Sequence, residues 1–452
     1  MSKQRENFLV IGGSGFVGRH IVDRILARGD AAAVFDIVQR HHDVPFYSGD
    51  ICDEGQLIDA IKKSGATCII HTASPPHGAK DPSIYYKVNV DGTKAVIAAA
   101  IACGIRKLVY TSSAGVIFDG NDVVNVDERV PYPEKPFDDY NDSKAKGETV
   151  VLEANGKGGL LTVALRPAGI FGPGDRQLLV GLYQAYQRGQ THFQVGDNNN
   201  LFDYTYVENL ATAHLIAADR LDSEVAADNA EPSESAVTAA TEDWASETAT
   251  LSEKEALDLS IALPPVSATV GNRRVPTCVA RPLGPYVVPP PNAAALEAAY
   301  ASPIASTNVR PALRGRFDQF SENAMAVCKT HPLRVAGQTF FITNGEPVYF
   351  WDFMRLIWLA LDPPHDPSKR AEQRIWVIPR AFGMALGFLA ETWAGLMGKE
   401  AGFTRYRVGY SCATRYHNIE RARRVLGYEP EIGIEEGVRK TVEWFKKENN
   451  LP

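Results

Sequence analysis

Tyr140 and Lys144 stand four residues apart in DYNDSKAKGE, and Ser113 closes the apolar run LVYTSS. On a helix, that spacing puts the phenol and the ammonium on one face. A free tyrosine has a pKa of about 10, so only roughly one molecule in a thousand is ionised near neutral pH. A neighbouring ammonium, and any further positive charge close by, favours the anion. Each unit of lowering is worth about 1.4 kcal/mol. A tyrosine lowered in this way can take the proton of an alcohol while hydride leaves the same carbon for an acceptor. Ser113 would hold the alcohol oxygen by a hydrogen bond, and Lys144 could also bond a ribose of the acceptor. Taken singly, each residue has a plainer reading. Y-x-x-x-K arises by chance on exposed helices, and a loop serine is more often a satisfied hydroxyl than a catalyst.

What sharpens the reading is the stretch that precedes these residues. In FLVIGGSGFVG, from Phe8 to Gly18, an apolar run ends in Gly12, Gly15 and Gly18. A helical pattern, Val17 to Arg28, follows. Strand, glycine-rich turn and helix together cradle a dinucleotide pyrophosphate, because the backbone must approach the phosphates and the helix start offers unpaired N–H groups. Phe16 and Val17, in the same turn, join the glycines as cofactor-binding candidates. Residues 32–35 read as the next strand, ending at Asp36. An acid about 20 residues after the glycines suits a ribose 2′-hydroxyl, as in NAD, and repels a 2′-phosphate. Arg40, His41 and His42 follow and could accept such a phosphate, so the choice of NAD rests on Asp36.

Further strands read at 44–50, 67–71 and 107–111, and helical patterns run from near Asp53 and from Tyr85 to Cys103, the last closed by Gly104. Asp50 and Ile51 could meet an adenine ring, or Asp50 could cap the next helix. Thr72, Ala73 and Ser74 follow a strand end, where ligands of this fold sit. The repeated strand–helix alternation from residue 8 to about 220 predicts an α/β fold, a Rossmann-like doubly wound parallel sheet.

Composition sets limits. The chain has 452 residues, a net charge of −7 and six scattered cysteines without CxxC pairs. There is no basic footprint for nucleic acid, and neither a disulfide framework nor a zinc or other metal site is expected. The start, MSKQRENF, is too polar for a signal peptide. No uncharged apolar run reaches about 18 residues, so no spanning helix is expected.

GGSGFVG, Asn89 in VNVDGT, TSS at 111–113, YNDSK at 140–144, LRPAGIFGPGD at 165–175 and FDYTYVENLATAH at 202–214 resemble the extended short-chain dehydrogenases/reductases. HTASPP at 71–76 and FFITNGEPVYFWDF at 340–353 resemble the 3β-hydroxysteroid dehydrogenase branch, and within it the decarboxylating sterol-4α-carboxylate 3-dehydrogenases. The segment 405–430 is similar to the C-terminal part of those enzymes. The resemblance spans 7–220 and 336–447. It implies a catalytic set of Ser113, Tyr140 and Lys144 with Asn89 in support, and a cofactor site that includes Pro167. It implies oxidation of a 3β-hydroxyl on a 4α-carboxysterol by NAD, with decarboxylation, in sterol C-4 demethylation. It also implies other enzymes of that sequence as partners, a peripheral place on the cytosolic face of the endoplasmic reticulum membrane, and a two-helix homodimer contact of the kind common in the superfamily. The alternatives are another 3β-hydroxysteroid or triterpenoid dehydrogenase, a nucleotide-sugar epimerase or dehydratase, and a non-enzymatic NAD sensor. No residue facing a 4-carboxylate can be assigned, though Arg166 and Arg176 lie near the right strand end.

Three parts are expected: a nucleotide-binding domain at 1–220, whose residues from about 165 also contribute to substrate binding, an insertion at 221–335, and a smaller substrate-binding part at 336–452. From about Asp222 to Ala256 the insertion is acidic and low in complexity and reads as disordered. It then becomes proline-rich, with a helical pattern at 292–300. Ile375 to Met397 is strongly apolar but interrupted by Arg380 and Glu391. It reads either as an interfacial helix on a membrane or as a buried helix of the substrate-binding part.

Overall fold

A computed structural model describes residues 6–222, 334–362, 375–398, 402–419 and 421–451. The expectations for 223–333 lie outside the described residues. Strands β1 (Asn7–Ile11), β2 (Ala31–Asp36), β3 (Phe46–Ser48), β4 (Cys68–His71) and β5 (Lys107–Thr111) enter one parallel sheet. β7 (Leu161–Pro167) and β12 (Gln338–Ile342) complete it, in the order β12-β7-β5-β4-β1-β2-β3. Helices cover both faces, so the strands are continuously apolar rather than alternating. Phe8 and Val10 of β1 pack beneath α1 (Phe16–Arg28) and α7 (Val207–Arg220). Leu9 and Ile11 pack on α2 (Glu54–Ser64), α4 (Thr93–Ala102) and α5 (Asp139–Glu153). Strand order reverses between β1 and β4, which opens a crevice at their carboxyl ends.

Several expectations shift in detail. The strand at 44–50 shortens to β3. The next helix is capped by Asp53, whose carboxylate accepts from Gln56 N at 3.1 Å, while Asp50 accepts from Cys52 N at 2.9 Å. The pattern at 85–103 is a composite: α3 (Ser83–Tyr86), a π-helical turn Lys87–Gly92, then α4. The buried positions Tyr85, Asn89 and Thr93 fall four apart, a spacing that suits an α-helix and a π turn alike, so the sequence pattern does not distinguish them.

The division at residue 336 needs correction. β12 pairs with β7 from Gln338↔Val163 to Ile342↔Pro167, so the chain re-enters the nucleotide-binding sheet after the insertion. The smaller layer is drawn from distant segments. β6 (Val123–Val126), β10 (Leu201–Phe202), β13 (Val348–Tyr349) and β15 (Arg415–His417) form its sheet in the order β13-β10-β15-β6. α8 (Phe350–Leu361) and α11 (Ile434–Glu448) share a third apolar cluster with Phe171, Phe202 and Tyr204. Tyr204 and Phe353 stack there at 3.6 Å.

Residues 375–397 are not one helix. Trp376–Ile378 form β14, paired with β9 (Phe193–Val195), and α9 (Arg380–Leu396) follows. The buried reading is overturned. Only Gly383, Gly387 and Ala394 of α9 are buried, whereas Trp393 is 68% and Leu396 79% exposed. The glycines explain the orientation, since a Cβ at Gly387 would stand 2.7 Å from Arg405 N. α9 therefore lies glycine-side down on α10 (Arg405–Cys412), with its bulky apolar side chains outward. Among the described residues no helix is long and apolar enough to cross a membrane.

Candidate active site

The glycine turn is set by close approaches. Gly12 has φ +84°, and a Cβ there would fall 2.6 Å from Ala73 N. A Cβ at Gly18 would fall 2.2 Å from Gly12 O. Gly15 is the N-cap of α1 and offers no side-chain acceptor, so the first N–H groups of the helix remain available to an anion. Asp36 is anchored over this turn. Its carboxylate accepts from Ser14 N at 3.0 Å and Ile37 N at 2.7 Å. Arg40 stands beside it and donates to Ser14 O at 3.1 Å. Thr72 closes the β1–β4 edge by donating its hydroxyl to Ile11 O at 3.1 Å.

One cavity of about 1980 Å³ runs along the carboxyl edge of the sheet. Gly12, Gly15, Phe16, Val17, Gly18, Asp36, Asp50, Ile51, Thr72, Ala73, Ser74 and Pro167 all border it, and so do Ser113, Tyr140 and Lys144. Asn89 does not. It is fully buried behind the wall and donates to Ser143 Oγ at 2.9 Å, which in turn donates to Tyr140 O at 2.8 Å. Asn89 thus belongs with the residues that position Tyr140 rather than with those that face the cavity. It sits in the π turn, whose widened backbone brings it against α5.

Tyr140 lies in the first turn of α5, which is capped by Asp138 accepting from Asn141 N at 2.7 Å. Lys144, one turn on, is 2% exposed and donates to Thr111 O at 2.9 Å. Thr111 is held in turn by His214. The His214 Nδ1 must carry the proton that meets Leu210 O at 2.8 Å, so its Nε2 accepts from the Thr111 hydroxyl at 2.7 Å. Ser113 caps a short 3-10 turn and accepts from Gly115 N at 3.0 Å, which leaves its own O–H to donate into the cavity.

The expected lowering of Tyr140 is not produced by the chain's own groups. Burial pushes its phenol up to about 12, only partly offset by the Ser74 hydroxyl. Burial also pulls Lys144 down to about 7, against the pull of Glu148. Burial dominates both shifts because the low-dielectric wall penalises each charged form, and the Asp138 carboxylate adds to the rise at Tyr140. A further positive charge placed beside the phenol would favour its anion.

Arg166 is not available to a ligand. It is buried and pairs with fully buried Glu148 through Nε at 3.0 Å and Nη2 at 2.5 Å. Arg176 borders the cavity next to Pro173, whose carbonyl meets His20 of α1 at 2.7 Å, which places it toward the glycine turn.

The residues that sequence reasoning missed come from the far wall. His77 lies edge-on to the Tyr140 ring at 5.3 Å and 3.2 Å from Asp138. Tyr406 donates to Asp138 at 2.9 Å and meets His77 Nε2 at 2.9 Å. Asp138 carried a readable signal, an acid just before a helix. Tyr406 carried none, because its partners lie 268 and 329 positions away.

Residues 9–235 match the 3-beta hydroxysteroid dehydrogenase/isomerase family. The chain is 35% identical to the decarboxylating sterol-4-alpha-carboxylate 3-dehydrogenase of Saccharomyces cerevisiae, over 97% of this chain and 98% of that one. It is 36% identical to the enzyme of the same name from Schizosaccharomyces pombe, over 98% of each. Among solved structures, the UDP-glucose 4-epimerase of Thermotoga maritima aligns over 98% of this chain and 99% of its own, with a TM-score of 0.56 at 16% identity. That last likeness is one of fold alone.

Proposed function

The chain belongs to the 3-beta hydroxysteroid dehydrogenase/isomerase family, and from that premise we propose that it oxidises the 3β-hydroxyl of a 4α-carboxysterol, with NAD as hydride acceptor and loss of carbon dioxide. The observation that carries this reading is the whole-chain likeness to the two fungal sterol-4-alpha-carboxylate 3-dehydrogenases. It extends through the C-terminal segments that wall the far end of the cavity, and is not confined to the dinucleotide turn.

The residues present suit a nicotinamide dinucleotide. Gly12 and Gly18 leave no room for a side chain, the start of α1 would take the pyrophosphate, and Asp36 would take a ribose hydroxyl. The fixed carboxylate of Asp36 favours NAD over its 2′-phosphate analogue. When bound, the cofactor supplies the hydride acceptor and a positive charge. Tyr140 then takes the proton of the 3β-hydroxyl, with Ser113 donating to the same oxygen. Lys144 is held on Thr111 O, within reach of a ribose and one turn from the phenol.

Oxidation leaves a ketone at C3 and a carboxylate on the adjacent carbon. In such a β-keto acid the bond from C4 to the carboxyl group breaks, and its electron pair passes to the C3 oxygen as an enolate. Tyr140 and Ser113 already face that oxygen and can return a proton and a hydrogen bond to it. A separate decarboxylating residue is therefore not required. Sterols are nearly insoluble in water, and the outward apolar face of α9 supports a peripheral seat on a membrane, at the endoplasmic reticulum with the other enzymes of C-4 demethylation.

The test is NADH formation by the purified protein with a 4α-carboxy-3β-hydroxysterol and with the matched sterol lacking the carboxylate, Tyr140→Phe being the control. Turnover of the acid, lost in the variant, supports the proposal. Turnover of the plain sterol alone moves the assignment to a general 3β-hydroxysteroid dehydrogenase. Turnover of neither removes the sterol reading.

A further inference from the structure

Loss of carbon dioxide leaves an enol across C3 and C4, which becomes a ketone only when a proton reaches C4 itself. Tyr140 and Ser113 serve the oxygen, so the carbon needs a second donor. C4 is one bond from C3, which confines that donor to the wall beside Tyr140.

His77 stands there. It borders the cavity, and its ring crosses that of Tyr140 at 5.3 Å and 73°. Its Nε2 lies 3.2 Å from Asp138 Oδ2 and 2.9 Å from the Tyr406 hydroxyl. Tyr406 donates its own proton to Asp138 at 2.9 Å, so its oxygen is left to accept and Nε2 carries a hydrogen. Asp138 is the fixed anion of the group. Burial raises its carboxyl, but bonds from His77, Asn141 N and Tyr406 bring it below the usual carboxylate range. A carboxylate on one nitrogen orients an imidazole and stabilises its charged form.

Nδ1 is the remaining nitrogen, and among the described residues nothing meets it. The side chain is 43% exposed, so a spent ring can take a fresh proton from water. The other donors around Tyr140 are engaged. Lys144 donates to Thr111 O, Tyr85 donates to Pro76 O, and the Ser74 hydroxyl bonds the Tyr140 phenol itself.

We propose that His77 is a catalytic residue that donates the proton C4 receives after decarboxylation. This rests on the sterol-acid reading above and deepens it. The C3–C4 double-bond pair of the enol takes the proton on Nδ1 and forms the new C–H bond. The N–H bond breaks, and its pair stays on the imidazole. The enol O–H proton returns to Tyr140, and the C3–O double bond forms from the pair it leaves. Oxidation releases one proton and this step consumes one. Tyr140 therefore ends with the proton of the alcohol and His77 ends one short, and exchange of each with water resets the pair.

A single turnover of the full-length protein with NAD and a 4α-carboxy-3β-hydroxysterol tests this. Carbon dioxide and the 3-ketosterol are followed by their infrared bands, and NADH by its absorbance. The quantity read is the rate of 3-ketosterol formation over the rate of carbon dioxide release. In the wild type the two appear together. In His77→Gln the ratio falls on the order of 100-fold. In His77→Ala it also falls, and added imidazole raises it, which a packing role would not allow. A ketone that lags in the wild type, or an unchanged ratio in His77→Gln, including equal losses in both rates, overturns the proposal. Should the Gln variant form no NADH, His77→Ala decides, and a ratio that imidazole does not raise overturns the proposal. A wild type that forms no NADH from the acid, or forms it with the carboxylate retained, defeats the sterol-acid reading itself, a result distinct from an unchanged ratio in the variants.

Discussion

Between Gly12 and Gly18 the chain fits itself. The limits there are backbone distances of 2.6 Å and 2.2 Å to atoms that cannot move aside. At the opposite end of the same cavity the wall is assembled from His77 and Tyr406, joined through Asp138, side chains brought together across hundreds of residues. The first end constrains shape and the second supplies chemistry. A change at the glycines should therefore fail through binding and folding, and a change at the far end through turnover or selectivity.

Tyr140→Phe should separate the two ends most clearly. The variant keeps the ring against His77 and Tyr85 but loses the proton acceptor. Turnover should fall about a thousandfold, while NAD titration by fluorescence should show affinity within about twofold, a hydroxyl being all that is removed. Parallel loss of NAD binding would erase the distinction. Gly18→Ala should do the reverse. Overpacking of this kind costs about 1–3 kcal/mol, readable as a lower urea midpoint together with weakened NAD binding. An alanine variant with normal binding would show that the turn tolerates more than its geometry implies.

Lys144 lies where the two ends meet. Its folded pKa of about 7 is below its unfolded value of 10.5, so between those values the unfolded chain holds the extra proton. Stability should thus rise with pH across that window and be lowest below it. Lys144→Met should remove that rise and be more stable than wild type at neutral pH, while abolishing turnover. Urea unfolding at several pH values measures this, and an unchanged slope would mean that another group dominates. The smallest effect on stability is expected furthest from both ends. Phe388→Ser with Trp393→Ser on α9 should shift stability by no more than about 0.5 kcal/mol per site, yet reduce flotation with lipid vesicles. Unchanged flotation would remove the membrane seat.

Legibility in the sequence follows the same division. β1, β5 and the glycine spacing were readable because strands covered on both faces are continuously apolar and the turn leaves no choice of residue. The start and end of the helical run 85–103 were readable, but its π turn was not, because buried positions four apart suit an α-helix and a π turn alike. β12 was read with the C-terminal part because pairing across an insertion has no local signature. Arg166 looked available from its strand position, but Glu148 neutralises it from α5, and only the packing of helix on sheet reveals that. The apolar composition of 375–397 was plain, while the side it presents depended on Gly387 meeting Arg405. Burial of Tyr140 and Lys144, which sets the direction of both pKa shifts, is likewise a property of the assembled walls.

The most direct test of the central claim follows two labelled atoms through a single turnover. A 4α-carboxy-3β-hydroxysterol carrying deuterium at C3 and carbon-13 in the carboxylate would be incubated with the protein and NAD. Reduced cofactor, gas and sterol would then be analysed by mass spectrometry. The account predicts one deuterium in each NADH, one labelled carbon dioxide per NADH, and a 3-ketosterol lacking the carboxylate. Carbon dioxide released without deuterium in NADH, or NADH formed with the carboxylate retained, would contradict it.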